Sequence, residues 1–420
     1  MRLLRNDLGP TWLNKLANCL TPRRIRAQAI ILMVCLWSGA IVDFSTSGTL
    51  DRVGNIKFQD FLVFYTSGKL VRQHRSNELF NQRTEAQETQ ALLERPAQIQ
   101  LPTVYGPQVG FFFSPFSRMS FFTAASFWVA ISILTYLLCC YWIWHACPSL
   151  YSARDLIISL VLAFPPFSHF VVRGQLSSVV LLCFVAAYYA FRSRHDWLAG
   201  LALGALIFKP QFLIGIVVIL LWTRAWKNVT GLFIGCLAQL GLTWAYFGTE
   251  VMRTYASTLW HLPQMTTNLE PGVAHTQMHS LRSFWVLLFP WREVSATLYA
   301  ISAIAVLYIA AKAWRSSGPL ALRFSALVLA TVLVNPHLFV YDLLVLAPVF
   351  FLVTDWMIQH LEHPWSPGVR ALLYLSFLLP LFGPMAIWTH IQLSVIVFVG
   401  LLIVLTYILN QQTEYINWSN

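Results

Sequence analysis

The stretch AQAIILMVCLWSGAIV, residues 27–42, decides the fold class because it runs for sixteen residues without a charge. A run of this kind is typical of a helix that crosses a lipid bilayer. Six basic residues precede it, and no small-residue cleavage site of a signal peptide stands out. The sequence therefore predicts an uncleaved anchor helix with the N-terminus in the cytoplasm. The basic residues are Arg2, Arg5, Lys15, Arg23, Arg24 and Arg26.

The composition of the whole chain supports the same class. The 420 residues are 57% hydrophobic and 11% charged, with a mean hydropathy of +0.61. Soluble proteins carry roughly 25% charged residues, so this chain lacks the polar residues to cover a surface in water. The net charge of +11 is scattered between apolar runs and forms no stripe, which argues against nucleic acid as a partner. The seven cysteines include no pair in an outer loop, so no structural disulfide is expected there.

The pattern predicts an all-α integral membrane protein with about twelve spans, organised as one polytopic domain over residues 1–420. Basic residues between the spans recur on the N-terminal side, which predicts that both termini are cytoplasmic. The fifth and sixth spans are too short for a full crossing at about 1.5 Å per residue, so they form either a hairpin of short helices or one kinked span. The spans are residues 27–47, 118–145, 154–171, 176–192, 196–208, 211–223, 229–247, 293–312, 319–334, 339–357, 370–384 and 390–409.

Two outer loops are long, and both are expected on the periplasmic side of a bacterial inner membrane. They cover residues 48–117 and 248–292. In the first, IKFQDFLVFYTSGKLV (residues 56–71) predicts a helix in the membrane interface, with Asp60 as its N-cap. Good helix formers over residues 76–94 predict a second helix, capped by Ser76 or Asn77.

Unusual polar residues gather on the side of the membrane that holds Asp60. An ionisable group at the edge of a span is costly, so each is a candidate functional residue. Fixed cations, histidines and two carboxylates together suit a phosphate-bearing substrate. Other interpretations stay open: the cations could reach lipid headgroups, Asp60 could only cap a helix, and Asp342 could pair with a neighbouring cation. The candidates are Asp60, Tyr65, Arg173, Gln175, Lys209, Gln211, His275, His279, Arg282, Asn335, His337, Tyr341 and Asp342.

Motifs of other chemistries do not occur. The chain has no GxxxxGK[ST] phosphate loop, GxGxxG fingerprint, HExxH or GxSxG. His275 and His279 have the i, i+4 spacing of a metal pair, but no carboxylate offers itself as the third ligand. The sequence therefore predicts no metal and no cofactor.

Four short segments carry a resemblance to a known family. They are FQDFLVFYTSGKLV (58–71), RGQLSS (173–178), AGLALGALIFKPQ (199–211) and NPHLFVYDLLVLAP (335–348). In these segments the chain resembles glycosyltransferase family 87, polyprenol-phosphate-sugar-dependent mannosyltransferase-like proteins with the GT-C membrane fold. The resemblance extends over residues 60–350, and the order and spacing of the segments are its most specific feature.

The resemblance implies a hexosyltransferase that moves a sugar from a polyprenyl-phosphate donor to a lipid- or glycan-linked acceptor, with inversion. Asp60 would act as general base. Arg173 and Lys209 would stabilise the leaving phosphate, assisted by Gln175, His275, His279 and His337. The partners would be the donor lipid, membrane lipids and the acceptor, and no metal would be needed. The alternative is a transporter or flippase for a lipid-linked or anionic solute, which would also use intramembrane cations and broken helices.

Overall fold

The computed structural model describes residues 11–94, 105–269 and 275–418, and within these ranges the chain is helical, with two isolated β-bridges as its only extended pairings. The α-helices are α1 (Thr11–Cys19), α2 (Pro22–Phe44), α3 (Gln59–Arg72), α4 (Gln82–Gln90), α5 (Pro107–Phe113), α6 (Phe121–His145), α7 (Arg154–Ala163), α8 (Pro165–Arg173), α9 (Ser177–Arg192), α10 (Asp196–Gly204), α11 (Leu213–Trp222), α12 (Trp226–Leu269), α13 (Leu281–Leu288), α14 (Arg292–Arg315), α15 (Leu320–Val334), α16 (Ala347–Gln359), α17 (Ser366–Leu378), α18 (Ala386–Thr389) and α19 (Leu393–Trp418).

Seven helical segments in the described ranges are long and apolar enough to cross a membrane, and the protein is therefore a multi-pass membrane protein. An eighth candidate is the pair Pro148–Ala163 and Pro165–Arg173, which is bent by 42°. Four shorter apolar helices complete the series: Ser177–Arg192, Asp196–Phe208, Pro210–Trp222 and Leu320–Val334. Each predicted span coincides with one of these segments, in order. How many of the short helices cross a bilayer stays a prediction, as does the choice between a hairpin and a kink at residues 196–223.

Helix α3 packs inside the protein. Nine of its fourteen residues are buried, among them Phe61, Phe64, Tyr65 and Gly68, which follow one another at helical spacing. Helix α5, near the end of the first outer loop, covers this face. A Cβ on Gly68 would lie 2.5 Å from the carbonyl oxygen of Phe113, so only glycine permits the close approach of α3 and α5.

The aromatic rings between these helices form a continuous cluster. The Phe64 and Phe113 rings stack at 5.2 Å, and Trp128 of α6 meets Phe113 edge-on at 4.8 Å. The Tyr65 hydroxyl donates a hydrogen bond to the carbonyl of Met119 at 2.8 Å. The apolar face of α3 is thus covered by α5 and α6.

Two local predictions in the first loop are wrong. The segment predicted as one helix over residues 76–94 divides into a 3₁₀ turn (Ser76–Glu78) and α4, whose N-cap is Asn81. Asp60 is not an N-cap: α3 begins at Gln59, and the cap position belongs to Phe58, in the left-handed region at φ 54° with no side-chain hydrogen bond. The Asp60 carboxylate is therefore not used in capping.

Candidate active site

The turn between α8 and α9 places two polar side chains against the start of α3. Helix α8 ends at Arg173, and Gly174 turns the chain with φ 70°. A Cβ on Gly174 would lie 2.6 Å from the Cβ of Phe61, so this position requires glycine for its backbone angle and for its contact with α3. The indole of Trp128 donates a hydrogen bond to the Gly174 carbonyl at 3.0 Å, which fixes the turn from the other side.

The Asp60 carboxylate faces this turn. Gln175 Nε2 donates a hydrogen bond to Asp60 Oδ2 at 3.0 Å, and Arg173 donates to the side-chain carbonyl of the neighbouring Gln59. Burial raises the pKa of Asp60 above its usual value, while the positive charge of Arg173, the Gln175 hydrogen bond and the charge of Lys209 act in the opposite direction. As a whole residue Asp60 is partly exposed.

The amide of Gln175 is oriented at both ends. Its Oε1 accepts hydrogen bonds from the Tyr105 hydroxyl at 3.2 Å and from the backbone N–H of Leu176 at 3.0 Å. With two donors on the carbonyl oxygen, the amide nitrogen must point to Asp60. Tyr105 is a residue that the sequence analysis missed, because a lone tyrosine before Gly106 carries no periodic signal.

Lys209 and Asp342 form a buried ion pair beside this group. Their side chains are 3% and 1% exposed, and Lys209 Nζ contacts Asp342 Oδ1. Asp342 also lies 3.4 Å from the Ser177 hydroxyl and from the backbone N–H of Phe339. The structural role left open for Asp342, pairing with a cation, is confirmed.

The same pair changes the interpretation of Lys209. Its ammonium lies over the rings of Tyr341 at 5.4 Å, Phe212 at 5.7 Å and Tyr105 at 5.9 Å. A cation enclosed by rings and neutralised by a carboxylate cannot also act as an unpaired charge for a ligand. Arg173, in contrast, forms no ion pair with any acidic residue in the described ranges.

The remaining candidates assemble in the second outer loop and the turn before the Lys209–Asp342 pair. An isolated antiparallel bridge joins Met278 to Phe339, and the His279 N–H donates to the Leu338 carbonyl at 3.0 Å. Arg282 donates to the Pro336 carbonyl at 2.9 Å. The Asn335 side chain accepts from the backbone N–H of His337 at 2.9 Å, and His275 is buried in the same loop. These residues hold the two segments together.

His279 is completely buried, and its Nδ1 lies 2.7 Å from the Ser394 hydroxyl. Burial, with a smaller contribution from the charge of His169, lowers the pKa of His279 to about 3. His279 is therefore neutral at physiological pH and offers no positive charge to a phosphate.

His169, a second missed residue, lies one turn before Arg173 on α8 and is exposed. The i, i+4 spacing of His169 and Arg173 was the signal that could have found it.

Two candidates lie outside the group. Tyr65 belongs to the aromatic cluster of α3, and Gln211 makes no hydrogen bond in the described ranges although it adjoins the turn of Lys209. No set of three or more His, Cys, Asp or Glu side chains in the described part of the chain is placed to hold a metal ion. Whether the protein works without a metal stays a prediction.

The arrangement combines a partly exposed aspartate, an arginine next to it and the buried Lys209–Asp342 ion pair. The sequence model of glycosyltransferase family 87 matches residues 103–336, more than half of the chain. The chain belongs to glycosyltransferase family 87, and it is therefore a membrane glycosyltransferase. No curated protein and no solved structure matches it. Arg173, Gln175 and Lys209 lie inside the matched range, whereas Asp60 and Asp342 lie outside it.

Proposed function

We propose that this glycosyltransferase transfers a hexose or pentose, with mannose as one candidate, from a polyprenyl-phosphate donor to a lipid- or glycan-linked acceptor. The site would face the periplasm of a bacterial inner membrane, and no metal would take part. The observation that carries the proposal is the Asp60 carboxylate, held by Gln175 with Arg173 alongside. A lipid-phosphate donor supplies its own leaving group, so the protein needs one base and one phosphate-binding cation.

Asp60 is the general base of the proposed reaction. It takes the proton of the acceptor hydroxyl while that oxygen forms a bond to the anomeric carbon. The bond from this carbon to the phosphate oxygen breaks, and its electron pair leaves with the polyprenyl phosphate, so the anomeric configuration inverts. The pKa of Asp60 is raised by burial, which makes its carboxylate a stronger base than an exposed aspartate.

The second carboxylate of the site supports this assignment by its own contacts. Asp342 is 1% exposed and its oxygens contact Lys209, Ser177 and the backbone of Phe339. An acceptor could not reach it without breaking the ion pair. Asp60 is the partly exposed residue of the two, which favours it as the carboxylate that receives the acceptor proton.

Arg173 is the phosphate-binding cation of the proposal. Its guanidinium has five N–H donors, and one of them is occupied by Gln59. The others are suited to a phosphate oxygen, which arginine binds in a bidentate manner. Lys209 remains paired with Asp342, so Arg173 carries the positive charge for the phosphate in this proposal.

The test uses purified full-length protein in lipid nanodiscs with a panel of polyprenyl-phosphate sugars and short acceptor glycans. Asp60→Asn should lower kcat by at least about 100-fold, as expected for loss of a general base. Asp155→Asn, at an exposed site elsewhere in the chain, is the matched control and should retain wild-type activity. If Asp60→Asn keeps more than about one per cent of the wild-type rate, the assignment of the base is wrong.

A second arm tests the phosphate-binding role. Arg173→Gln should raise the donor KM by about 10- to 100-fold, because a hydrogen bond to a charged group contributes about 1.5–3 kcal/mol. The acceptor KM should stay within a factor of two or so. An unchanged donor KM in a folded Arg173→Gln protein would remove Arg173 from the proposal.

A further inference from the structure

A large apolar cleft lies between α2, α7, α16 and α17, away from the candidate active site. Its volume is about 400 Å³, and nearly all the side chains around it are aliphatic or aromatic. Protein interiors pack closely and leave few voids larger than a water molecule. Water is a poor occupant of a space with so few hydrogen-bonding partners. A cleft of this size and lining therefore requires an apolar occupant.

The dimensions of the cleft match one leaflet of a bilayer. Along α17 the lining runs from Arg370 to Leu378, and along α2 it runs from Pro22 to Leu32. At about 1.5 Å per residue these segments extend for roughly 12–15 Å. The hydrocarbon core of a bilayer is about 30 Å thick. The cleft is thus as deep as one leaflet and suits an acyl chain that enters from the bilayer.

The charges around the cleft indicate which kind of headgroup a bound lipid would have. Among the residues that the structure describes, Arg370 is the only charged one that lines the cleft, and it lies at the end where α2 and α17 begin. Its guanidinium makes no hydrogen bond or ion pair with any residue in the described ranges. Arg23 and Arg24 are exposed at the start of α2, at the same end. This end is complementary to an anionic headgroup, and the opposite end is apolar.

We propose that this cleft is a binding site for an anionic phospholipid, with the lipid phosphate on Arg370 and an acyl chain between α2 and α16. A polyprenyl phosphate is not the occupant we propose, because none of the candidate active-site residues lines this cleft. The bound chain fills the space between α2 and α16, while α2 contacts α7 directly through the Trp37–Leu162 hydrogen bond. The proposal is independent of the sugar-transfer chemistry.

The experiment is native mass spectrometry of the full-length protein, titrated with phosphatidylglycerol or with phosphatidylcholine of the same acyl chains. We expect saturable binding of one phosphatidylglycerol, with phosphatidylcholine at least about tenfold weaker. Arg370→Gln should bring phosphatidylglycerol down to the level of phosphatidylcholine, and Arg370→Lys should restore part of the difference. Arg315→Gln is the matched control, since Arg315 is an exposed arginine at a helix end outside the cleft.

A second arm tests the acyl chain. Ala29→Phe and, separately, Ala153→Phe add bulk inside the cleft and should weaken phosphatidylglycerol binding while Arg370 is intact. Thermal midpoints without added lipid show whether each variant is folded. Equal binding of the two lipids by the wild type, no effect of Arg370→Gln, or tighter binding of polyprenyl phosphate than of phosphatidylglycerol would each overturn the proposal.

Discussion

The buried pair of Lys209 and Asp342 allows a quantitative test of what stabilises the candidate site. The perturbation is a double-mutant cycle: Lys209→Met, Asp342→Asn and the two together. Each single change leaves one full charge in an environment where both side chains are at most 3% exposed. The double change removes both charges, keeps an acceptor for Ser177 and Phe339, and preserves the side-chain volumes closely.

The expected magnitudes follow from this burial. Removing one partner of a buried ion pair costs about 3–5 kcal/mol, whereas replacing both is often nearly neutral. With an unfolding entropy of about 2.1 cal/mol/K per residue over 420 residues, each single variant should lower the midpoint of thermal unfolding by about 3–6 °C. The double variant should recover most of this loss, which corresponds to a coupling energy of about 2 kcal/mol or more.

The assay is thermal unfolding in one detergent, with the activity of each variant measured in parallel. Glu78→Gln is the matched control, because Glu78 pairs with Arg75 at 2.8 Å on the surface, where side chains are more than a third exposed and ion pairs contribute little. Additive effects in the double variant, or single variants as stable as the wild type, would refute the view that Lys209 and Asp342 act as one neutral unit.

Because the pKa of Asp60 is raised, activity should already begin to fall at a pH higher than that at which an ordinary aspartate is protonated. Arg173→Gln should move this acidic limb of the pH–rate profile to still higher pH, because the arginine charge lowers the pKa of Asp60. Gly174→Ala should lower stability and activity, because alanine there meets both an unfavourable φ of 70° and the contact with α3. Gly54→Ala is the comparison: its φ is 90°, but its Cβ position is open, so it carries the backbone strain alone. Thermal unfolding and transfer assays of the two variants separate the steric effect from the backbone effect. Hydrogen bonds to two cations lower the pKa of Glu88, so its carboxylate stabilises the fold above about pH 4.5, and this stabilisation is lost as the pH falls through the lowered pKa. Glu88→Gln should abolish this contribution to the pH dependence of unfolding. The same pH dependence in wild type and variant would contradict the prediction.

The sequence pattern located the helices well because apolar run length is a property of single segments. The predicted spans coincide with helical segments even where these are short, as in Leu320–Val334. The sequence pattern also indicated the polar residues of the candidate site, because charge is rare in this chain and each ionisable group near a span is conspicuous. Arg173, Gln175 and Asp60 were chosen separately; in the structure Gln175 donates a hydrogen bond to Asp60, and Arg173 donates one to the adjacent Gln59.

Pairing between distant segments was beyond the sequence pattern. Lys209 and Asp342 are 133 residues apart, and composition cannot tell an unpaired cation from a neutralised one. The same limit explains the error at α3, where the period showed a buried face but not whether lipid or α5 buries it. The start of α3 depended on the left-handed backbone of Phe58, which no propensity favours.

The bridge between Met278 and Phe339 makes the second outer loop and the approach to Asp342 one mechanical unit. If the proposed acceptor enters past that loop, a displacement of Met278 would be transmitted to Phe339, three residues before Asp342. On that route, entry of an acceptor and the tightness of the Lys209–Asp342 pair would be linked. Substitutions in the loop should therefore alter the stability of the protein's interior as well as its choice of acceptor.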